Sequence, residues 1–291
     1  MQVPASPSAL LLQRVTVWAE EREDVVAAVL TGSSARGEHA VDEFSDLDVE
    51  LFTTDPGLYS GYAWLEELGQ VMVCLPFDED ERAYVTRLVF FEGGVKFDFQ
   101  VRPAAHLDEL ARSPSADDIW GRGFRFLVDK VGAGSAIAPA SITTPPNEPV
   151  SEEAFEATVN EFWFEAAHIP RYLLRDELWV VKFRDWTMKC DLLRMIEWYA
   201  RANRGDDQDV WFIGAKMKSW AGEEVWADVQ RVFARFDRTD SWRALLATIA
   251  LFDRLTRRVA DAHGFTCPDT ADKVSAYVRS FAPRLAREAL G

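Results

Sequence analysis

Three aspartates and a glycine–serine pair carry the chemistry open to this chain. Gly32-Ser33 follows the apolar run Val25–Thr31; Asp46 and Asp48 come after a short spacer, and Asp98 lies in a later segment. Glycine has no Cβ, so a strand ending in Gly-Ser lets exposed backbone N–H groups close on a phosphate. Residues two apart on a strand point the same way, so Asp46 and Asp48 present their carboxylates side by side. Like charges so placed repel unless a cation sits between them. Hard oxygen donors select Mg²⁺, which typically also binds substrate phosphates. Asp98 would complete a site for two metal ions bridging attacking and leaving oxygens. An Asp-x-Asp is common on solvated strand faces, and a lone Gly-Ser after a strand is equally weak. Their order gives them weight: strand, Gly-Ser, spacer, Asp-x-Asp strand, hairpin strand with Asp.

The elements that must position these residues are legible in hydrophobic period. Ser8–Glu21 has helical spacing, and Val25–Thr31 is a buried strand. Asp46–Thr53 alternates, with Leu47, Val49 and Leu51 on one face and Asp46, Asp48 and Glu50 on the other. Leu58–Leu68 reads as helix and Val71–Leu75 as strand. Tyr84–Phe91 and Val95–Val101 flank Gly93-Gly94, a hairpin signal. Its second strand sets Phe97, Phe99 and Val101 against Lys96, Asp98 and Gln100. Leu107–Leu110 and Ile119–Asp129 are weaker helical or loop segments. Beyond the proline-rich stretch Thr143–Pro149, which reads as a linker, helices are expected at Ser151–Arg175, Val180–Arg201, Glu223–Arg235, Ser241–Ala262 and Ala271–Leu290. The expected architecture is α+β, with domains over 1–145 and 150–291.

Composition narrows the function. The chain has 291 residues, 48% of them hydrophobic, which is ample for a core. No apolar run approaches the ~18 residues a bilayer demands. The N-terminus lacks the basic start of a secretory signal, so a cytoplasmic protein is expected. The balance of 32 basic against 48 acidic residues leaves a net charge of −16. That disfavours a nucleic-acid partner, fits solubility or a cationic ligand, and makes monomer the default. Cys74, Cys190 and Cys267 form neither zinc spacing nor a disulfide framework and read as buried thiols, and the four histidines form no ligand pair.

The order of motifs over residues 25–102 resembles the nucleotidyltransferase superfamily of the polymerase-β type. The second half is similar to the aminoglycoside 6-adenylyltransferases (streptomycin adenylyltransferases). That likeness rests on Glu161-Phe162-Trp163, Arg171–Leu178, Cys190–Tyr199, Gly214-Ala215-Lys216-Met217-Lys218 and Trp220. It implies an N-terminal nucleotidyltransferase domain, its mixed sheet flanked by helices, followed by a helical bundle that closes on substrate and nucleotide. It further implies that Gly32, Ser33 and Arg36 hold ATP, that Asp46 and Asp48 bind Mg²⁺ in a two-ion site, and that Asp98 is the third acid, ligating metal or accepting the proton of the attacking hydroxyl, a role that Glu92 could also fill. Lys216, Lys218 and Arg171 would cover the β- and γ-phosphates. Family members usually read Gly-Lys where this chain has Gly214-Ala215, and Arg-x-Asn after the Gly-Ser where it has Ser34-Ala35-Arg36-Gly37.

The implied reaction is transfer of AMP from ATP to a hydroxyl of an aminoglycoside, with release of pyrophosphate. Aminoglycosides are polycations, and carboxylates would hold them through charge-assisted hydrogen bonds. The candidates are Glu50, Glu92, Glu161, Glu165 and Asp176, with Glu50 first because it shares the face of Asp46 and Asp48. Each is equally well read as an ordinary exposed acid. Trp163 and Trp198 fit sugar stacking or, more commonly, core. Two other readings stay open: the same transfer to another small-molecule or protein hydroxyl, and a nucleotide-binding module without catalysis.

Overall fold

The structure is a computed structural model. It describes residues 6–36, 42, 44–77, 85–112, 118–137, 147–210 and 212–288. Contacts divide the chain into two compact units, Met1–Pro145 and Pro146–Gly291.

The first unit is built on a six-stranded sheet. Helix α1 (Pro7–Glu21), capped by the Ser6 hydroxyl, leads into β1 (Val25–Thr31) and the short α2 (Gly32–Arg36). Then follow β2 (Leu47–Thr53), α3 (Ala63–Leu68), β3 (Val71–Pro76), β4 (Val85–Phe91) and β5 (Val95–Pro103). Helices α4 (Ala105–Arg112) and α5 (Asp118–Arg122) precede β6 (Arg125–Asp129). The strand order is β3-β4-β5-β2-β1-β6, with β2 and β5 parallel and every other pair antiparallel. Two expectations are corrected. Arg125–Asp129 is an edge strand on β1, not helix or loop, and Leu58–Leu68 is a 3₁₀ turn at Pro56–Tyr59 followed by α3. Tyr84 lies outside the described residues.

Strand alternation gives the sheet two unlike faces. Leu47, Val49 and Leu51 of β2 join Phe97, Phe99 and Val101 of β5 in a core closed by Leu11, Val15 and Trp18 of α1 and Trp64, Leu65 and Leu68 of α3. On the other face, Ala27, Val29 and Phe52 pack against Leu107, Leu110 and Trp120. That smaller core covers one end of the face; the aspartates occupy the other.

The second unit is helical: α6 (Glu152–Leu174), α7 (Leu178–Arg204), α8 (Met217–Trp220), α9 (Glu223–Val232), α10 (Arg238–His263), α11 (Thr270–Arg279) and α12 (Ala282–Glu288). Ser151 and Asp237 cap α6 and α10 as side-chain acceptors. The expected last helix is split at Ser280-Phe281. Trp163 and Trp198 sit in the core with Phe155, Phe162 and Phe252, where sugar stacking is closed to them. The cysteines are not the buried thiols expected: Cys190 is exposed, Cys74 and Cys267 half-buried. No helix among the described residues is long and apolar enough to cross a membrane.

Candidate active site

The parallel pairing of β2 with β5 sets the register of the acids. Leu47 stands opposite Phe97 and Asp48 opposite Asp98, so these two carboxylates share one face of neighbouring strands. Asp46 lies one residue before β2 and Lys96 two before Asp98. The Lys96 ammonium bridges them, 2.5 Å from Asp46 Oδ2 and 3.0 Å from Asp98 Oδ2.

Gly32 forms the corner beyond β1. Its φ of +67° is the left-handed conformation glycine adopts without strain, and a β-carbon there would run into the Asp48 carboxylate. The Ser34 hydroxyl donates to the Asp46 carbonyl at 3.1 Å, tying α2 to the start of β2. Ser33 is half-buried beside the corner. The backbone of Arg36 closes α2, while its side chain lies outside the described residues.

Electrostatics at this end of the sheet follow from three acids and one ammonium. Burial holds the Asp98 carboxyl above its ordinary value; the Lys96 hydrogen bond and charge oppose this, and the charge of Asp46 adds to it. Burial also acts to lower Lys96, but its hydrogen bonds to Asp46 and Asp98 outweigh it and raise it overall. Lys96 was not among the expected site residues. The signal was the Lys-x-Asp alternation in β5, which puts ammonium and carboxylate on one face.

The expected three-acid cage is not closed in this arrangement. Among the described residues, no group of three His, Cys, Asp or Glu side chains is set to hold a metal ion. Lys96 supplies the positive charge between Asp46 and Asp98. The donor chemistry nevertheless suits a hard divalent cation: all the ligands are carboxylate oxygens, and Asp98 Oδ1 is buried without a hydrogen-bond partner among the described residues.

Glu50 is corrected. It is only 3% exposed, pairs with Arg102 Nε at 3.0 Å, and accepts from the Trp120 indole N–H at 3.0 Å. Its carboxylate is committed to Arg102 and Trp120 at the covered end of the face, which takes it out of the acceptor candidates. Glu92 is exposed in the β4–β5 turn, where it lines a groove with Leu10 and Arg14 of α1, apart from the aspartates.

The remaining candidates lie in the helical unit. Arg171 Nε donates to the Tyr277 hydroxyl at 2.8 Å. Lys216 and Lys218 are exposed around the start of α8, where Lys216 is left-handed and the Ser219 hydroxyl donates to its carbonyl. Asp176, with φ +59°, pairs with Arg238 at 3.0 Å. Glu165 accepts both oxygens' worth of hydrogen bonding from Arg184 Nη1, at 3.0 and 2.9 Å, and Glu161 is exposed one turn earlier.

Comparison with known proteins makes the chain a nucleotidyltransferase, an enzyme of the transferase class. The profile of the streptomycin adenylyltransferase family matches residues 8–281, and the chain belongs to that family. It is similar to the aminoglycoside 6-adenylyltransferase of Campylobacter jejuni, 24% identical over 272 residues covering 90% of this chain and 91% of that one. It is also similar to the enzyme of the same name from Bacillus subtilis (strain 168), 22% identical over 267 residues covering 88% and 90%. A crystal structure of an aminoglycoside 6-adenyltransferase from Bacillus subtilis aligns over 96% of this chain and 99% of that chain, with 17% identity and a TM-score of 0.46.

Proposed function

We propose that the protein transfers AMP from ATP·Mg²⁺ to a hydroxyl of an aminoglycoside, position 6 of a streptomycin-type acceptor, releasing pyrophosphate. The observation that carries this reading is the register of β2 on β5: Asp48 faces Asp98, with Gly32 packed against Asp48 and Asp46 tied to Asp98 through Lys96. The names of the relatives supply the acceptor class.

In this reading Asp46, Asp48 and Asp98 hold two Mg²⁺ ions when the Lys96 ammonium gives way. Bound Mg²⁺ neutralises phosphate charge and aligns the triphosphate for in-line displacement. The amides of Gly32 and Ser33 hold the triphosphate from the corner beyond β1, with Arg36 following in α2. The acceptor oxygen forms its bond to the α-phosphorus as the bond to pyrophosphate breaks. Asp98 is the third acid, ligating metal or taking the hydroxyl proton; its Oδ1 is buried without a hydrogen-bond partner among the described residues. Glu161 and Glu92 are the exposed acids left to receive the acceptor's cationic groups, since Glu50 is committed to Arg102, Glu165 to Arg184 and Asp176 to Arg238.

Pyrophosphate release from ATP and streptomycin tests the reading. Asp46→Asn and Asp48→Asn are expected to abolish it with the circular dichroism spectrum unchanged. Turnover retained in either variant would refute the metal assignment, and a panel of other antibiotics checks the acceptor.

A further inference from the structure

The seam between α6 and α7 carries a carboxylate that no part of the reaction uses. Two cross-links fix the helices antiparallel. Arg194 Nη1 donates to Thr158 Oγ1 at 3.3 Å, and Arg184 Nη1 binds Glu165. Between these ties stand Glu161 on α6 and Asp191 on α7. Asp191 is only 3% exposed, and its Oδ2 is buried without a hydrogen-bond partner among the described residues.

A buried carboxylate left ionised without a donor is costly, and native chains leave few such oxygens. Arg184 is engaged by Glu165, and Arg194 donates to the Thr158 hydroxyl, so its charge only partly offsets the acids and gives Asp191 Oδ2 no hydrogen bond. The acids nearby, Glu161 and Glu165, make the surroundings more negative. The seam therefore lacks one element: a positively charged group bringing its own N–H donors.

We infer that Asp191, flanked by Glu161 and Glu165, forms a binding site in the helical unit for an ammonium or guanidinium group of the cationic acceptor. The identity of that ligand rests on the function proposed above. An organic cation suits the site because each N–H can satisfy a carboxylate oxygen directly. The same groups explain why the site can remain empty at little cost. Burial, reinforced by the charges of Glu161 and Glu165 and opposed by Arg194, pushes the Asp191 carboxyl up to about 7, so it is partly neutral in the empty protein. An arriving cation displaces that proton.

Calorimetric titration of the full chain with streptomycin, without ATP, tests this. Asp191→Asn is isosteric and removes a buried acid, so it is expected to fold. It should weaken streptomycin binding at least tenfold while leaving the KM for ATP unchanged, and Glu161→Gln should weaken binding by a smaller factor. Near pH 7 the unaltered protein should release a proton on binding, seen as heat that varies with the buffer's ionisation enthalpy, and Asp191→Asn should not. Equal affinity in Asp191→Asn, or identical proton release, would overturn the site. Spermidine competing with an affinity equal to that of streptomycin would overturn its assignment to the acceptor. Binding that depends on Asp191 without AMP transfer to streptomycin would instead refute the proposed reaction and leave the cation site standing.

Discussion

Gly32 and Asp48 are packed so closely that a β-carbon on the glycine would collide with the aspartate's carboxylate. Backbone conformation and space agree at this corner, because φ there is +67°. Gly32→Ala therefore combines a strain of about 1 kcal/mol with displacement of a proposed ligand. The expected outcome is a melting temperature lower by a few degrees and kcat/KM for ATP lower by more than tenfold. Unchanged kinetics would separate the corner from the nucleotide.

Lys96 holds Asp46 and Asp98 together through a partly exposed ion pair. Lys96→Met should lower stability without divalent cation by about 1 kcal/mol, a figure kept small by solvent screening. Millimolar Mg²⁺ should then raise the melting temperature of the variant more than that of the unaltered protein, since the metal no longer competes with an ammonium. Equal increments in thermal melts would show that lysine and metal do not share the place.

Glu50 and Arg102 are each nearly fully buried, so removing one charge strands the other. Glu50→Gln should cost about 3–5 kcal/mol of unfolding free energy, and Glu50→Gln with Arg102→Met should recover part of it. The KM for streptomycin should not change. A raised KM at unaltered stability would restore Glu50 to the acceptor.

Asp191 and Glu197 both titrate at about 7 in the folded chain. Burial is the main cause for each; Arg194 and Arg201 oppose it at Glu197. A carboxyl with a raised folded pKa binds its proton more tightly in the folded than in the unfolded chain. Its contribution is complete below the unfolded value, about 4, and is lost as pH rises through about 7. Asp191→Asn and Glu197→Gln should thus match the unaltered protein in melts near pH 5 and exceed it near pH 8 by about 1–2 kcal/mol each. Variants less stable at the higher pH would show that these acids have partners in solution.

Much of the sheet was legible because alternation is a strong signal. Leu47, Val49 and Leu51 against Asp48 and Glu50, and Phe97 and Phe99 against Lys96 and Asp98, assign faces directly. Alternation does not say which strands pair, so the parallel match of β2 to β5 had to come from the structure. It also gives a face and not a depth along it. Asp46 and Glu50 share a face, yet one lies at the open end while the other is sealed beneath Trp120, and Glu50 was misassigned for that reason. Strand β6 was missed because it is an edge strand with only Val128 well buried, so its pattern is weak. The Lys-x-Asp alternation puts Lys96 beside Asp98, but its second partner, Asp46, is set by strand register rather than by nearness in sequence. Asp191 sat inside a helical motif whose spacing shows a buried position but not the missing donor.

The strands bearing Asp48 and Asp98 are the innermost pair of the six, each hydrogen-bonded on both sides, whereas β3 and β6 form the rims. Local opening begins at rims and reaches the middle only when the whole sheet lets go. The amide protons of these two strands are thus the last to trade with solvent, and warming should loosen the periphery well before it disturbs the spacing of the acids. The proposed chemistry is mounted on the stiffest part of the unit, and whatever adapts to one substrate or another must do so around it.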